Sequence, residues 1–337
     1  MAEIQKLELK ISAALKEFVE TKRASSKVVS DLSSVINATS ELPLVNLEYW
    51  ERFIREGYSN ALTSGYSNRW KFWESNVPRI TLLDLCSWDG YRREKALRAI
   101  GEKLPNRFFL ALVLRRLNDW VPQVRQAAQD ILSKVLVNTE PSYVADVICF
   151  TLSHWSSWKR IDNSNRKTLL DTLSNKEIAN QLKLKLLNST AGPLVVIFSE
   201  IGRVDALDTS LEEIATDAIQ PSLRAKAYRS LFEGNISWLE GRKWVWTYRI
   251  FNEGRMQPIV GNRVITTKIQ LLPTLRSAAS DRSSLVRRVA AEILIKELDN
   301  LGSESSILAE NFSTDRSIAV AERGKFALKK LAGETLF

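Results

Sequence analysis

Residues 119–132 read DWVPQVRQAAQDIL and residues 281–294 read DRSSLVRRVAAEIL, and the two stretches share one layout. In each, an Asp stands six residues before an Arg: Asp119 before Arg125, and Asp281 before Arg287. An apolar residue precedes the Arg (Val124, Val286), and Ala and Leu follow at fixed places (Ala128 and Leu132, Ala290 and Leu294). That spacing puts the apolar residue, the Ala and the Leu on one helix face. The small residue in the middle of the face lets a neighbouring helix approach closely. An Asp just ahead of the helix is placed to cap exposed N–H groups, and the Arg is placed to meet an Asp of the same or the adjacent unit.

Outward from these two, a third copy is Leu223, Arg224, Ala227 and Leu231, with Asp217 seven residues before the Arg. Weaker copies are Asp89, Arg93, Ala96 and Ile100, and Asp315, Val320, Gly324 and Leu328, where Ala321 takes the place of the Arg. The Arg place falls at 93, 125, 224, 287 and 321. This predicts a unit of about 32 residues, with further copies near positions 158, 191 and 255. Segments 106–117 and 205–218 carry the apolar periodicity of a first helix, so each unit reads as helix, turn, helix. Arg93, Arg125, Arg224 and Arg287 then read as an internal Asp–Arg ladder rather than as a groove lining.

The layout resembles the second helix of short bacterial HEAT-like repeats, over residues 86–334. The resemblance implies an all-α fold: a right-handed α-solenoid of HEAT-like helix pairs with an N-terminal helical cap. It implies a ligand-binding groove without naming the ligand, because one repeat scaffold hosts many functions. Residues 1–85 are expected to form the cap and an aromatic junction, and residues 86–337 the repeat array, interrupted at 236–267.

In the cap, Ile4, Leu7, Ile11, Leu15 and Phe18 form one stripe of an amphipathic helix. A second helix carries Val28, Val29, Leu32, Val35 and Ile36 beyond a turn at Ser25 and Ser26. The stripe also fits a coiled coil, but a single short helix favours the end cap that stacked repeats require. Tyr49, Trp50, Phe53, Tyr58, Tyr66, Trp70, Phe72 and Trp73 are expected to pack the junction.

The interruption, ISWLEGRKWVWTYRIFNEGRMQPIVGNRVITT, departs most from the repeat. Trp244, Tyr248 and Phe251 lie at i, i+4 and i+7, which predicts a helix packing three aromatics into the core. Arg242, Trp246 and Arg249 would face elsewhere, and a loop with Gly254, Pro258 and Gly261 adds Arg255 and Arg263. Segments that break a rigid scaffold often carry binding, so these five residues outside the core are expected to contact a partner. Arg92, Lys95, Arg98, Lys226, Arg229 and Arg288, outside the consensus of the second helices, join them.

Composition narrows the function. The 337 residues are 45% hydrophobic and 26% charged, as in folded soluble proteins, and the net charge of +9 favours acidic or phosphate-bearing partners. Cys86 and Cys149 alone build no disulfide framework, which fits a reducing compartment. Apolar runs such as 194–198 are too short for a bilayer, and charges interrupt the N-terminal MAEIQKLELKISAALKEF, so a cytoplasmic protein without a membrane partner is expected.

No Walker glycine loop, GxGxxG, HExxH or metal-spaced Cys/His cluster occurs, so no cofactor, metal or catalytic residue is expected. His154, the sole histidine, follows Cys149 by five residues, but the pair lacks an orienting partner, and nothing selects Asp162, Asp171 or Asp217 as a catalytic carboxylate. The expected function is a non-enzymatic scaffold, an adaptor, immunity or defence-complex component, that holds a protein with an acidic surface. The alternative partner is nucleic acid, with Lys and Arg on phosphates and Trp stacked on bases. HEAT-like alkylpurine DNA glycosylases combine a basic groove, aromatics and a carboxylate, but none of their catalytic positions maps onto this chain, so that likeness stays at fold level.

Overall fold

The computed structural model describes residues 2–24, 32–63 and 80–333. It divides into two compact units, Met1–Thr172 and Leu173–Phe337. Among the described residues no helix is long and apolar enough to cross a membrane.

In the first unit, α1 (Ala2–Ala24) packs on α2 (Ser33–Ser40) and α3 (Leu47–Thr63). The stripe residues Ile11, Leu15 and Phe18 are buried there, with Val35, Trp50 and Tyr58, while Ile4 and Tyr49 stay exposed. Ser25, Ser26, Val28, Val29, Tyr66, Trp70, Phe72 and Trp73 lie outside the described residues. Then come α4 (Gly90–Arg98), α5 (Arg107–Arg116), α6 (Pro122–Asn138), α7 (Pro141–His154) and α8 (Asn163–Thr172). Helices α4, α6 and α8 pack in one row, and α3, α5 and α7 in another. Pro122 and Pro141 open their helices at the position where a missing N–H costs nothing. Asn106 caps α5 through the N–H of Phe109 and donates its amide to the Ile36 carbonyl and Thr39 Oγ, both at 2.9 Å.

The second unit holds α9 (Lys176–Asn188), α10 (Leu194–Ile201), α11 (Leu211–Asp217) and α12 (Pro221–Glu233). A β-hairpin of β1 (Asn235–Tyr248) and β2 (Glu253–Val264) follows, then α13 (Leu271–Ala279), α14 (Ser284–Glu297), α15 (Ser303–Ser313) and α16 (Ile318–Leu331). Helices α12, α14 and α16 pack in sequence, and the consensus residues Leu223, Ala227, Val286, Ala290, Leu294, Val320 and Gly324 are buried there.

An Asp–Arg ladder fastens neighbouring helix pairs. Each ladder Arg stands three residues after the first residue of its helix: Arg93 in α4, Arg125 in α6, Arg224 in α12 and Arg287 in α14. Its Nη1 turns back onto carbonyls of the preceding turn: Ser87 and Trp88, Asp119 and Trp120, Ala218 and Ile219, and Asp281, respectively. In three of the four, the Nε–Nη2 edge takes both oxygens of an Asp from the next pair. Arg93 binds Asp119 at 2.9–3.0 Å, Arg224 binds Asp281 at 2.8–2.9 Å, and Arg287 binds Asp315 at 2.6–2.9 Å. The same carboxylates accept from the N–H of the residue just ahead of their own helices, Val121, Ser283 and Ser317, which fixes the turn into each helix. Asp217 takes no such part; it is the last residue of α11.

The ladder corrects the expected count of units. Arg93 and Arg287 reach an Asp 26 and 28 residues ahead, but Arg224 reaches one 57 residues ahead. Helices α12 and α14 are therefore successive second helices, and the extra chain between them is the hairpin. No copy exists near position 255. The copy expected near 158 is α8, with Arg166 in the Arg place, and the one near 191 is α10, with Ile197 there.

The hairpin also corrects the all-α expectation and the helix over Trp244, Tyr248 and Phe251, which are 48%, 63% and 71% exposed. Trp244, Trp246 and Tyr248 recur at a period of two, among β-branched and aromatic neighbours, and that alternation outweighs the helical spacing. Gly234, at φ +65°, ends α12 in the left-handed conformation and turns the chain into β1.

Candidate functional site

The hairpin is rooted by polar contacts that the body of the second unit supplies. Arg263 donates to the Gly202 carbonyl at 2.8 Å, the Val204 carbonyl at 2.6 Å and both oxygens of Asp208 at 2.6–2.9 Å. Asp208 accepts also from the N–H of Thr266 at 2.7 Å. Burial pushes the Asp208 carboxyl up, but the hydrogen bonds from Arg263 and Thr266 outweigh it and hold the group below the usual carboxylate range. Lys226 donates to the carbonyl and hydroxyl of Ser237 at 3.2 and 2.9 Å, and Arg203 lies 5.0 Å from the ring centre of Trp238. Ile236 and Ile265 are buried at the same root.

Beyond the root the strands project about 35–45 Å if extended. The register pairs Leu239 with Val260, Arg242 with Pro258, Trp244 with Met256 and Trp246 with Gly254. A bulge between Leu239 and Gly241 brings Leu239 onto the face of Arg242, Trp244 and Trp246. That face therefore presents Leu239, Trp244, Trp246, Met256 and Val260, which are 40–55% exposed, as a contiguous apolar strip around Arg242. The two indoles meet edge to face at 5.6 Å, and Trp244 lies over Gly254. The opposite face carries Lys243, Val245, Arg255 and Ile259. At the tip, Arg249, Ile250, Phe251 and Asn252 form the turn, with Ile250 91% exposed.

The remaining residues expected to make contact divide into engaged and open. Arg263 and Lys226 belong to the root just described. Arg92 is held by buried Asp84 at 2.6–2.8 Å, and Arg229 by Glu292 at 2.6 Å. Arg288 and Arg323 converge on the same Glu292, at 3.7 and 3.1 Å. These side chains are engaged within the protein: Arg92, Lys226, Arg229, Arg263 and Arg288 each have a carboxylate, carbonyl or hydroxyl partner of their own. Arg98 pairs with Glu94 and Asp130 but stays exposed, and Lys95 lies over the Tyr91 ring at 4.3 Å. Arg242, Trp246, Arg249 and Arg255 are exposed on the hairpin.

The helical spacing points Trp244, Tyr248 and Phe251 to the core and gives Leu239, Ile250, Met256 and Val260 no role, yet all seven are exposed on the hairpin. The signal for a hairpin here is the period-two recurrence of Trp244, Trp246 and Tyr248, together with the glycines at 254 and 261 opposite Trp246 and Trp238. His154 uses Nδ1 at 2.8 Å to the Phe150 carbonyl and to Ser153 Oγ, both at its own helix end. Among the described residues no group of three His, Cys, Asp or Glu could hold a metal ion. Set against known proteins, the chain matches no family model and no curated relative.

Proposed function

We propose that the protein is a non-enzymatic scaffold of HEAT-like helix pairs, solenoid in arrangement within each unit, that binds a partner protein through its projecting hairpin. The observation that carries this reading is the exposed strip of Leu239, Trp244, Trp246, Met256 and Val260 on a firmly anchored hairpin. A two-stranded hairpin with no apolar cover is marginal in water by itself, and contiguous exposed apolar area of this kind marks interaction surfaces. Aromatic and Met side chains beside Arg are the composition enriched at interface centres. Arg242, Lys243, Arg249 and Arg255 outnumber Glu240 and Glu253, which favours an acidic partner surface. The free outer edges of both strands add main-chain donors and acceptors to which a partner strand could pair.

Basic residues beside exposed Trp also suit single-stranded nucleic acid, and one experiment separates the two partners. Replacing residues 239–260 by Asn-Gly joins Trp238 to Gly261, which are already cross-strand partners, and leaves the Arg263–Asp208 root in place. Affinity capture with the full chain and with this truncated form, followed by protein identification and nuclease treatment, is the test. A protein recovered by the full chain alone, and insensitive to nuclease, is the expected result. Equal recovery by both forms, or recovery of nucleic acid alone, rejects the reading.

A further inference from the structure

Within each unit the ladder follows a rule with one departure. The residue that meets a ladder Arg stands three residues before the first residue of the next second helix: Asp119 before Pro122, Asp281 before Ser284 and Asp315 before Ile318. Where the preceding helix has no Arg, the place is not acidic: Ile197 of α10 is followed by Ala218, three residues before Pro221. Arg125 breaks the pattern. The corresponding place before Asn163 of α8 is Arg160, a second cation.

The structure shows the consequence. Arg125 makes the same backward bonds as the other ladder arginines, to the Asp119 carbonyl at 2.9 Å and the Trp120 carbonyl at 3.3 Å. Its Nε–Nη2 edge, which in the other three takes an Asp, meets no carboxylate among the described residues. The turn that carries Arg160 is nonetheless seated in its place, with the Arg160 N–H donating to Asn118 Oδ1 at 2.9 Å. Asp119 cannot turn to Arg125, because its oxygens already hold Arg93, Arg116 and the N–H of Val121. Beside this rung Asn118, Trp120, Trp158 and Arg160, together with the carboxylates Glu48 and Asp119, are among the residues that line an open cleft of about 430 Å³, and Trp120 is 70% exposed.

We propose that Arg125, with Arg160, binds the carboxylate of an acidic peptide segment, which completes the ladder from outside, while Trp120 and Trp158 pack against the residues flanking it. Carboxylate is the favoured chemistry because the same guanidinium edge, held by the same backward bonds, binds an Asp in two-pronged fashion in the three complete rungs. The site lies in the first unit and does not depend on the hairpin.

The test measures binding of a fluorescein-labelled oligoglutamate peptide, and of an oligothymidine strand, to the full chain by anisotropy at low salt. Arg160→Asp supplies the missing carboxylate from within, so peptide binding is expected to weaken about tenfold or more while the thermal midpoint rises or holds. Arg125→Lys keeps the charge but loses the fork, so it is expected to weaken peptide binding without unfolding the protein. Arg282→Asp makes the same charge change on an exposed turn of the other unit and is expected to leave binding within about twofold. The proposal is overturned if the wild-type chain does not bind the peptide, or if Arg125→Lys and a folded Arg160→Asp bind as the wild type does. It is overturned equally if Arg282→Asp weakens binding as much, or if oligothymidine binds more tightly through the same residues.

Discussion

Arg224 and Asp281 clasp each other through two hydrogen bonds of 2.8 and 2.9 Å across 57 residues of chain, and the whole hairpin lies between them. The clasp joins the helix pair before the hairpin to the pair after it, and α12 packs on α14 although the hairpin lies between them in the chain. The Arg224 side chain is fully buried and that of Asp281 is 8% exposed. Asp281→Ala leaves a buried guanidinium half-unpaired and removes the acceptor of the Ser283 N–H, and we expect a loss of about 3–5 kcal/mol. Urea unfolding followed by circular dichroism measures it; a loss below about 1 kcal/mol contradicts a structural role for the clasp.

Trp244 and Trp50 separate an exposed aromatic from a core one. Trp50 is 0% exposed against Phe53 in α3, whereas Trp244 is 48% exposed on the hairpin. Trp50→Ala should cost about 3–5 kcal/mol, while Trp244→Ala should stay within about 1 kcal/mol of the wild type. Thermal midpoints of the two variants side by side decide this, and equal destabilisation would place the hairpin face against an apolar neighbour.

Gly324 sits where α16 crosses the end of α15. A Cβ there would lie 2.2 Å from the Ser313 nitrogen and 2.5 Å from the Phe312 carbonyl carbon, which are backbone atoms with little room to yield. Gly324→Ala gains helix propensity of about 1 kcal/mol, yet the clash should make it net destabilising by about 1–3 kcal/mol. A raised unfolding midpoint in the variant would show that the two helices separate easily.

Acid should weaken the protein through its ladder and root carboxylates. Asp315 is held below the carboxylate range by its hydrogen bond from Arg287, against burial. In Asp119 burial pushes upward, but hydrogen bonds from Arg93 and the N–H of Val121, with the charge of Arg116, outweigh it; Asp208 behaves alike through Arg263. Carboxyls depressed in the folded state contribute stability that is fully present above the unfolded value, about 4, and is lost as pH falls through the lower folded values. Urea midpoints should therefore hold from about pH 7 to about pH 5 and drop below about pH 4. The drop should be shallower in Asp315→Asn, and an identical acid profile in that variant would remove Asp315 from the account.

By itself the sequence determined the helical units and the Asp and Arg places, whereas packing decided which Asp each Arg meets. A buried helix face needs Val, Ala and Leu at fixed spacing, and a capping Asp has to precede its helix, so both requirements are local and leave a readable pattern around Arg125 and Arg287. It also marked 236–267 as foreign to the repeat. What it misread there was conformation: Trp244, Tyr248 and Phe251 satisfy a helical period, while Trp244, Trp246 and Tyr248 satisfy a strand period, and the local pattern supports both. Pairing of β1 with β2 resolves the choice, because the backbone bonds and cross-strand contacts of Trp244 come from Met256 and Gly254, far along the chain. The tertiary structure likewise decided which charges are available. Arg263 and Arg255 look alike in sequence, but Arg263 is clamped by Asp208 from 55 residues away while Arg255 stands exposed, and such a partner is chosen by packing rather than by neighbourhood in the chain.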